Sequence, residues 1–521
     1  VHDLSQLQSI VDAYGRTNSL TYDSKGMLAS LVDGGGLTNS FQYQPAVTTV
    51  STNYGTNSIS YQVTTSYGGW LTNLTTPYGS TRFDYFDETT NAAYGVTRRA
   101  LLVSEPTGAQ QFYAYIHNAG TLLTNSATSA QIPSVPFGGY TFDTGNVSEP
   151  GGGLNLRNSV HWEERQFAAL SSGVTSALAI SLSHPQPDLI TAMNSLSAAD
   201  LQKGRLQHWL VDSDGITTTE YLSSEREPSF DSLGQAAGPR TWFDYAGKPS
   251  GAPYQAGTSV LLGCAAQVLP DGSSQFTGLD YATSGFPTNR WESYTTAAGT
   301  NSVRTNAYVY ATNGVDPVSV TWPAGESVQL AYNTAHQVNF VTNALNQVTT
   351  LNWGANNNLA TLTFPNGQVI NLSYYPTNTP GSTPTSTGAL VSNITFTAQG
   401  LVVAVTGYTN GLPRVVHISG TGLSDLWFTN SWDGLNRLTS TRFTDGTTIS
   451  NAYTALDLTG HKDRLGHWTW FGYDGLEHLI YIADPRNNTN NLEWCGCGAL
   501  ESITDPLNGQ TRFFYNNQGL V

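Results

Sequence analysis

A spacing of 21 residues recurs in three separate stretches of this sequence. An aromatic residue and an aspartate keep this spacing. The positions that share it are Asp12, Tyr22, Asp33, Tyr43, Tyr332, Trp353, Tyr374, Asp463, Tyr473, Asp484, Trp494, Asp505 and Tyr515. A fixed period of this size is typical of repeat proteins, in which each short unit packs mainly against its neighbours. We therefore expect an extended repeat architecture that builds a surface or a container, rather than a globular domain around one catalytic cleft.

Residues 484–515 contain one complete unit. The stretch 484–487 (Asp-Pro-Arg-Asn) has the composition of a tight turn, and 489–494 is a short alternating strand that ends on an aromatic residue. A second turn at 495–498 and a return strand at 500–504 complete the period, so each unit is a β-hairpin. We expect equivalent aromatic rings to stack as a ladder along one face of the sheet. Unstacked rings at 332, 353 and 374 would argue against this arrangement and against a structural module built on it.

The composition also predicts an all-β protein. Thr, Tyr, Trp and Val favour strands, and the 52 glycines, together with Asn, favour the turns between them. The net charge of −16 argues against a nucleic-acid partner, and no polybasic run suggests an anionic membrane surface. No apolar stretch is long enough for a membrane span. Because the sequence stops within a repeat, at Val521, we expect it to be part of a longer chain.

The sequence pattern of the repeat resembles that of the Rhs/YD-repeat family, named for the Tyr-Asp pair found here at Tyr22-Asp23 and Tyr473-Asp474. The resemblance covers residues 1–118 and 306–521. It implies a long β-sheet of hairpins that spirals into a hollow shell, as in bacterial toxin containers.

The intervening segment 119–305 breaks the period and contains one expected helix. Ser197 is a good N-cap with Asp200 three residues later, and an apolar pattern runs through 198–210. This segment is either a small separate domain or a decorated stretch of the same sheet, and the strand-then-turn pattern at 242–247 favours the second interpretation.

Three cysteines, Cys264, Cys495 and Cys497, are too few for a disulfide-stapled scaffold. Cys495 and Cys497 are open to three interpretations. They are ligands of a soft metal, one of them forms a disulfide with Cys264, or both are ordinary turn residues. The spacing within the repeat favours turn residues.

Two further motifs invite a catalytic interpretation. Some Rhs proteins carry paired Asp-Pro-x-Gly motifs that support self-cleavage. In this sequence Asn487 and Asn508 replace the glycines, so ordinary turns are favoured. His161 precedes Glu163 and Glu164, but carboxylates adjacent on a strand point to opposite faces and cannot together flank a sugar. A salt-bridged surface is the favoured interpretation here, and we predict no cofactor.

The leading functional hypothesis is a non-enzymatic structural module of a secreted or cell-surface protein that forms a shell, stalk or fibre. Its partners would be other segments of a longer chain or other copies. One alternative is an adhesion surface that binds polysaccharide through exposed Tyr, Trp and Asn side chains. Another is a container for a toxin that follows Val521. An enzyme within 119–305 is the last alternative.

Overall fold

A computed structural model describes residues 6–12, 15–44, 69–88, 96–123, 131–134, 140–145, 153–179, 186–269, 272–296, 301–354, 356–375 and 390–521. In it 34 strands form a single sheet. The strands up to residue 118 are β1 Ser9–Val11, β2 Thr17–Tyr22, β3 Leu28–Val32, β4 Thr38–Tyr43, β5 Leu71–Thr76, β6 Gly79–Glu88, β7 Arg98–Ser104 and β8 Gln110–Asn118. The next strands are β9 Leu156–Trp162, β10 Arg205–Val211, β11 Thr218–Arg226, β12 Arg240–Tyr245, β13 Leu262–Val268, β14 Ser274–Tyr281 and β15 Pro287–Thr295.

The remaining strands are β16 Asn301–Tyr310, β17 Pro317–Thr321, β18 Ser327–Tyr332, β19 Val338–Thr342, β20 Val348–Trp353, β21 Leu359–Thr363, β22 Val369–Tyr374, β23 Val391–Phe396, β24 Leu401–Thr409, β25 Leu412–Ser419, β26 Leu426–Trp432, β27 Leu438–Phe443, β28 Thr448–Thr454, β29 Asp457–Lys462, β30 Trp468–Tyr473, β31 Leu479–Ala483, β32 Thr489–Trp494, β33 Leu500–Thr504 and β34 Gln510–Arg512.

Each strand pairs antiparallel with the next strand along the chain, from β1 to β34. The sheet is therefore one long meander of hairpins, and the all-β prediction is confirmed. The strands of 119–305 belong to this same sheet. Within the described residues no helix is both long and apolar enough to cross a membrane.

In the part of the chain after residue 301, the two faces of the sheet differ in chemistry. We call one the apolar face, because it carries half-buried apolar side chains that lie opposite one another across the strands. These are Leu330, Val341, Leu351, Leu362, Ile370, Leu372, Ile394, Val403, Ile418, Phe471, Ile482, Leu492 and Ile503. The other, polar face carries Thr350, Asn352, Thr361, Asn371, Asn393, Thr395, Asn491 and Glu493. Val405 is the one buried hydrophobic residue among the described residues of 301–521, so the sheet here is a single layer.

In the middle of the chain the apolar side chains change face. Following the register from strand to strand, the polar face of the later strands continues into the face that carries Leu102, Phe112 and Trp162, all fully buried. Short helices cover it, packing on β6 to β10. They are α1 Glu164–Ala168, α2 Ser172–Leu178, α3 Leu189–Ser195 and α4 Ala198–Lys203, with a 3₁₀ turn at Gly120–Leu122. The described residues thus contain four short α-helices where the sequence predicted one.

The predicted helix at 198–210 is wrong in its second half. Its start is as expected, because Ser197 and Asp200 form a reciprocal capping box. The helix ends at Lys203, and 205–211 is strand β10. Leu206, His208 and Leu210 are buried and alternate with the half-buried Arg205, Gln207 and Trp209, which is the period of a strand rather than a helix.

Candidate functional site

The predicted aspartates each organise the backbone of one turn. Oδ1 of Asp484 accepts hydrogen bonds from the N–H groups of Arg486 and Asn488, both at 2.8 Å. Asn487 has a φ of 63°, the left-handed conformation that a three-residue hairpin loop needs at this position. Asp33, Asp463 and Asp505 accept the same pair of bonds in their own turns. The bond from the backbone N–H of His467 is the largest of the causes that hold the pKa of Asp463 below its ordinary value. The Asn488 side-chain amide, followed by the Asn488 backbone N–H, lowers the pKa of Asp484.

The turn at Asp12 is closed in a slightly different way. Oδ1 accepts from the backbone N–H of Arg16 at 3.0 Å, and the Arg16 guanidinium pairs with the other carboxylate oxygen. The turn therefore carries an ion pair on its surface in addition to its backbone bonds.

The predicted aromatics join neighbouring strands through hydrogen bonds. In six of the eight, the ring N–H or O–H donates to the backbone carbonyl 15 residues earlier, at 2.8 or 2.9 Å. The donor and acceptor pairs are Tyr22 to Leu7, Tyr332 to Pro317, Trp353 to Val338, Tyr374 to Leu359, Trp494 to Leu479 and Tyr515 to Leu500. Tyr43 and Tyr473 lie at the equivalent strand ends, opposite Leu71 and Leu479.

A β-bulge accompanies these aromatics. The register shifts immediately before Tyr332, Trp353 and Tyr374, among others. A bulge leaves one residue out of the ladder, so a nearby carbonyl needs another donor. The aromatic of the next unit supplies that donor, which explains why Tyr and Trp, rather than Phe, keep the 21-residue period.

The predicted stacking of these aromatics is wrong. No ring contact joins Tyr332, Trp353 and Tyr374 in the structure as described. Each unit contributes two strands, so equivalent rings are about 9.6 Å apart, beyond the range of ring stacking. The prediction used the distance between neighbouring strands, whereas equivalent rings are separated by two strands. This outcome removes the stacking on which the structural-module hypothesis relied, and the rings connect adjacent units by hydrogen bonds instead.

The sheet returns to contact itself along a seam between turns that are far apart in sequence. A Cβ added at Gly35 would lie 2.5 Å from Leu435, so the turn after β3 rests against the turn after β26. The hydroxyl oxygen of Tyr78, after β5, accepts a hydrogen bond from the N–H of Leu456, after β28, at 2.7 Å. Pro106, after β7, lies against Gly475, after β30.

The seam continues to the end of the chain. Arg165, after β9, contacts the sulfur of Cys497, after β32, at 2.9 Å, and its guanidinium lies over the Tyr515 ring at 4.9 Å. Asn517, after β34, lies against residues after β11. Turns that follow strands 23 positions apart meet repeatedly, at β3 and β26, β5 and β28, β7 and β30, β9 and β32, and β11 and β34. Neighbouring turns also meet at an offset of 25 strands, as Arg165 after β9 does with Tyr515 after β34. In the described residues the sheet is therefore a spiral ribbon.

Asn517 makes the densest set of bonds across the seam. Its side-chain N–H₂ donates to the carbonyls of Lys203 at 3.1 Å and Ser229 at 2.8 Å, and only 4% of the residue is exposed. Its backbone N–H donates to Phe230, and its carbonyl accepts from the Gln166 amide at 2.7 Å. Sequence reasoning missed these residues, because no local pattern links positions about 300 residues apart.

Cys495 and Cys497 form a disulfide with each other, with their Cα atoms 5.0 Å apart. The interpretation as turn residues is confirmed in position, because they occupy the turn after Trp494. The proposed bond to Cys264 is wrong, since Cys264 is a buried free thiol in β13. Burial, with a smaller effect of Asp244, raises the pKa of Cys264 to about 12. No group of three or more possible metal ligands is present among the described residues.

The structure also shows the environment of the two motifs for which a catalytic role was considered, the Asp-Pro turns and the cluster of His161, Glu163 and Glu164. Asp484 and Asp505 begin equivalent turns of consecutive repeat units, as the turn interpretation predicts. Glu163 precedes α1 and Glu164 begins it, so the two are not on a strand as expected. Glu164 accepts a hydrogen bond from the Gln111 amide at 2.7 Å, rather than forming a salt bridge. Burial, and secondarily Arg205, lowers the pKa of His161 to about 4, so its ring is neutral at pH 7.

Some aromatic rings of the polar face lie over glycines of the preceding strand. A Cβ at Gly460 would lie 2.6 Å from the Trp470 ring, and one at Gly472 would lie 2.0 Å from the Tyr481 ring. The side of each ring that faces away from the sheet is open, with 40% of Trp470 and 37% of Tyr481 exposed. Trp468 stacks beside Trp470 at 4.8 Å.

No family model matches the sequence, and no curated protein matches it. Among solved structures, the chain is similar to the crystal structure of TcdB2-TccC3, with a TM-score of 0.42 and 10% identity over 98% of this chain and 28% of that chain. It is also similar to TcdB2-TccC3-Cdc42 (TM-score 0.41, 9% identity, 98% and 30% covered). A third similar structure is a Photorhabdus luminescens Tc holotoxin pore, with a TM-score of 0.41 and 10% identity over 98% of this chain and 29% of that chain. The chain spans less than a third of the length of these structures.

Proposed function

We propose that this chain is a stretch of the wall of a hollow β-shell and acts as a structural module rather than an enzyme. The repeated offset of 23 strands between turns that meet along the seam is the observation that carries this proposal. A single-layer sheet that meets itself after a fixed number of strands encloses space. With neighbouring strands about 4.8 Å apart, 23 strands give a perimeter of about 110 Å and a backbone diameter of about 35 Å.

The apolar face supports a direction for the wall. Soluble monomers rarely expose large contiguous apolar surfaces, and here a row of half-buried Leu, Ile, Val and Phe side chains runs from β18 to β33. We infer that this face lines the lumen and that the polar face meets solvent. An apolar lumen suits a polypeptide cargo with exposed hydrophobic side chains, which is the container function that the Rhs/YD resemblance implies.

The shell is proposed to work outside the cytoplasm, joined to further segments or copies. The Cys495–Cys497 disulfide is of a kind that persists in oxidising compartments. Within the described residues, β1 and β34 each pair on one side only, so both ends offer an open strand edge for continuation of the sheet.

Cysteine accessibility tests the direction of the wall. Leu362 and Thr361 are neighbours on β21 and lie on opposite faces. We expect Leu362→Cys to react slowly with a 5-kDa polyethylene glycol maleimide and Thr361→Cys to react fast, while N-ethylmaleimide labels both. Cryo-electron microscopy of the whole chain should show an empty centre of the stated perimeter. Equal labelling rates, or a filled or open ribbon, would refute the proposal.

A second candidate is carbohydrate binding on the polar face, favoured by the open ring faces of Trp470 and Tyr481. Flat aromatic surfaces suit the C–H faces of sugars, and Asn491 lies directly beside Tyr481 on the next strand. Titration calorimetry with neutral oligosaccharides would detect binding that Trp470→Ala abolishes. Titrations without heat for any oligosaccharide would remove this candidate and leave the shell unaffected.

A further inference from the structure

Two buried arginines face each other across the middle of the sheet. Arg226 on β11 and Arg240 on β12 are directly opposite in the register. Only 2% of Arg226 and 9% of Arg240 is exposed. Like charges directly opposite on neighbouring strands are destabilising, and a buried charge is costly unless it is paired. Such a pair is expected to be compensated by an anion.

Among the described residues, neither guanidinium forms an ion pair with a carboxylate. Arg226 donates to the Leu201 carbonyl, and Arg240 donates to the Ser224 hydroxyl at 3.3 Å, while both Nε–H groups lack an acceptor among the described residues. The charge of Asp143 offsets only part of the fall in pKa that burial causes at Arg240. The Asp143 carboxylate itself bonds to His208 at 3.1 Å. By contrast, the buried Lys203 has its own carboxylate, Asp200, at 3.3 Å.

Both guanidiniums keep their charge at neutral pH. Burial, and then the charge of Arg240, lowers the pKa of Arg226 to about 9, and burial lowers the pKa of Arg240 to about 10. These values lie well above 7, so two positive charges remain at the site.

The two arginines line a cavity of about 960 Å³. Its other walls combine polar groups, among them Gln202 and Ser274, with apolar groups, among them Phe230. The side-chain oxygen of Gln202 is buried and has no hydrogen-bond partner among the described residues. A volume of this order is typical of small-molecule sites, which are mostly apolar with a few converging polar groups.

We propose that this cavity binds a small organic oxyanion, a carboxylate or a phosphate ester, whose charged group bridges Arg226 and Arg240. Guanidinium groups match the geometry of carboxylate and phosphate through paired hydrogen bonds. The apolar wall at Phe230 would hold the organic part of the ligand. This site is independent of the proposed shell function.

Titration calorimetry of the full chain tests the proposal, with inorganic phosphate, sulfate and benzoate as probes at constant ionic strength against chloride. We expect saturable 1:1 binding of phosphate or benzoate, and the stronger of the two identifies the ligand class. Arg240→Gln should weaken it about tenfold or more, the effect of losing one charge-assisted hydrogen bond. Arg290→Gln is the matched control, because Arg290 is an exposed cation on β15 paired with Glu292 at 3.0 Å.

The folding of the variant is checked without anion. Arg240→Gln removes a like-charge repulsion together with the contact of the guanidinium with the Trp242 ring at 5.1 Å and the bond to Ser224, so a single cooperative unfolding transition in chloride is the check that the variant folds. Absence of binding to all three probes would overturn the proposal, as would equal binding by Arg240→Gln.

Discussion

The seam can be tested at Asn517, where the last unit of the sheet meets the middle of the chain. Replacing Asn517 by Ala removes both side-chain hydrogen bonds across the seam and leaves the carbonyls of Lys203 and Ser229 without their donor. The backbone bonds of residue 517 to Phe230 and Gln166 remain. The substitution therefore isolates the side-chain contribution to the seam.

The magnitude follows from burial. A buried carbonyl left without a partner costs about 1–3 kcal/mol, and some relief comes from water entering at the chain end, so two carbonyls give about 2–4 kcal/mol. Asn517→Asp should cost more, because a carboxylate would face two carbonyl oxygens with no proton to donate. Asn491→Ala is the matched control: Asn491 lies exposed on β32, so its replacement should change stability by less than about 0.5 kcal/mol.

Hydrogen exchange is the appropriate assay, because the seam can open without the sheet unfolding. The free-energy loss predicts exchange about 30- to 1,000-fold faster at the backbone amides of 510–519 in Asn517→Ala, with the amides of β18 to β22 unchanged. Unchanged exchange at 510–519 would refute the conclusion that the sheet returns onto itself at this point. Equal acceleration throughout the chain would refute the conclusion that the seam is a local contact.

Three further predictions concern the repeat and its surroundings. Tyr374→Phe should lower the free energy of unfolding by about 1 kcal/mol through loss of the bond to the Leu359 carbonyl, whereas unchanged urea unfolding would show that the bond is dispensable. Replacing Cys495 and Cys497 by Ser should cost no more than about 2 kcal/mol, because the closed loop is so short; a larger fall in Tm on reduction would contradict this. The pKa of His161 in the folded protein lies below its unfolded value of 6.5. The contribution of the neutral ring to the free energy of unfolding is therefore complete above pH 6.5 and is lost as the pH falls towards 4. We expect at most about 2 kcal/mol, given its partial exposure, and His161→Asn should flatten the Tm profile over that range; an unaltered profile would exclude His161 as the cause.

The sequence was sufficient to predict the hairpin unit, because turn chemistry and strand alternation are local. Asp484 and Asn487 specify their turn within four residues, and the all-β class follows from repetition of such turns. The aromatic positions were found by spacing alone, but their role was misjudged. Whether a ring stacks or donates depends on how many strands separate equivalent positions, and the distance within one hairpin does not give this.

The helix at 198–210 shows a different limit. Leu201, Leu206 and Leu210 fit a helical spacing, while Leu206, His208 and Leu210 fit a strand equally well. Gly204 decides between them in the structure, since a Cβ there would lie 2.6 Å from Val160 and 2.8 Å from the Trp162 ring. The close approach of β9 thus ends the helix, and β9 lies about 40 residues earlier in the chain.

The exchange of apolar side chains between faces connects the helices to the architecture of the wall. In the later strands a single layer leaves its apolar face half-buried, so closure of the spiral is the remaining way to shield it. In β7 to β10 the opposite face is apolar and α1 to α4 shield it directly. If the apolar face of the later strands lines the lumen, the same register places the helices on the outer surface, where they leave the proposed lumen clear.

The two ends of the sheet differ in how the missing neighbour is replaced. In a repeat protein a terminal unit lacks one of its two neighbours and is the least stable part. The C-terminal unit regains contacts through Asn517 and through Arg165 on Tyr515. The first hairpins meet the later chain through the close approach of Gly35 to Leu435. The seam therefore stabilises the terminal unit at 516–521 more than it stabilises β1 to β4, so opening of the spiral should begin at the N-terminal hairpins.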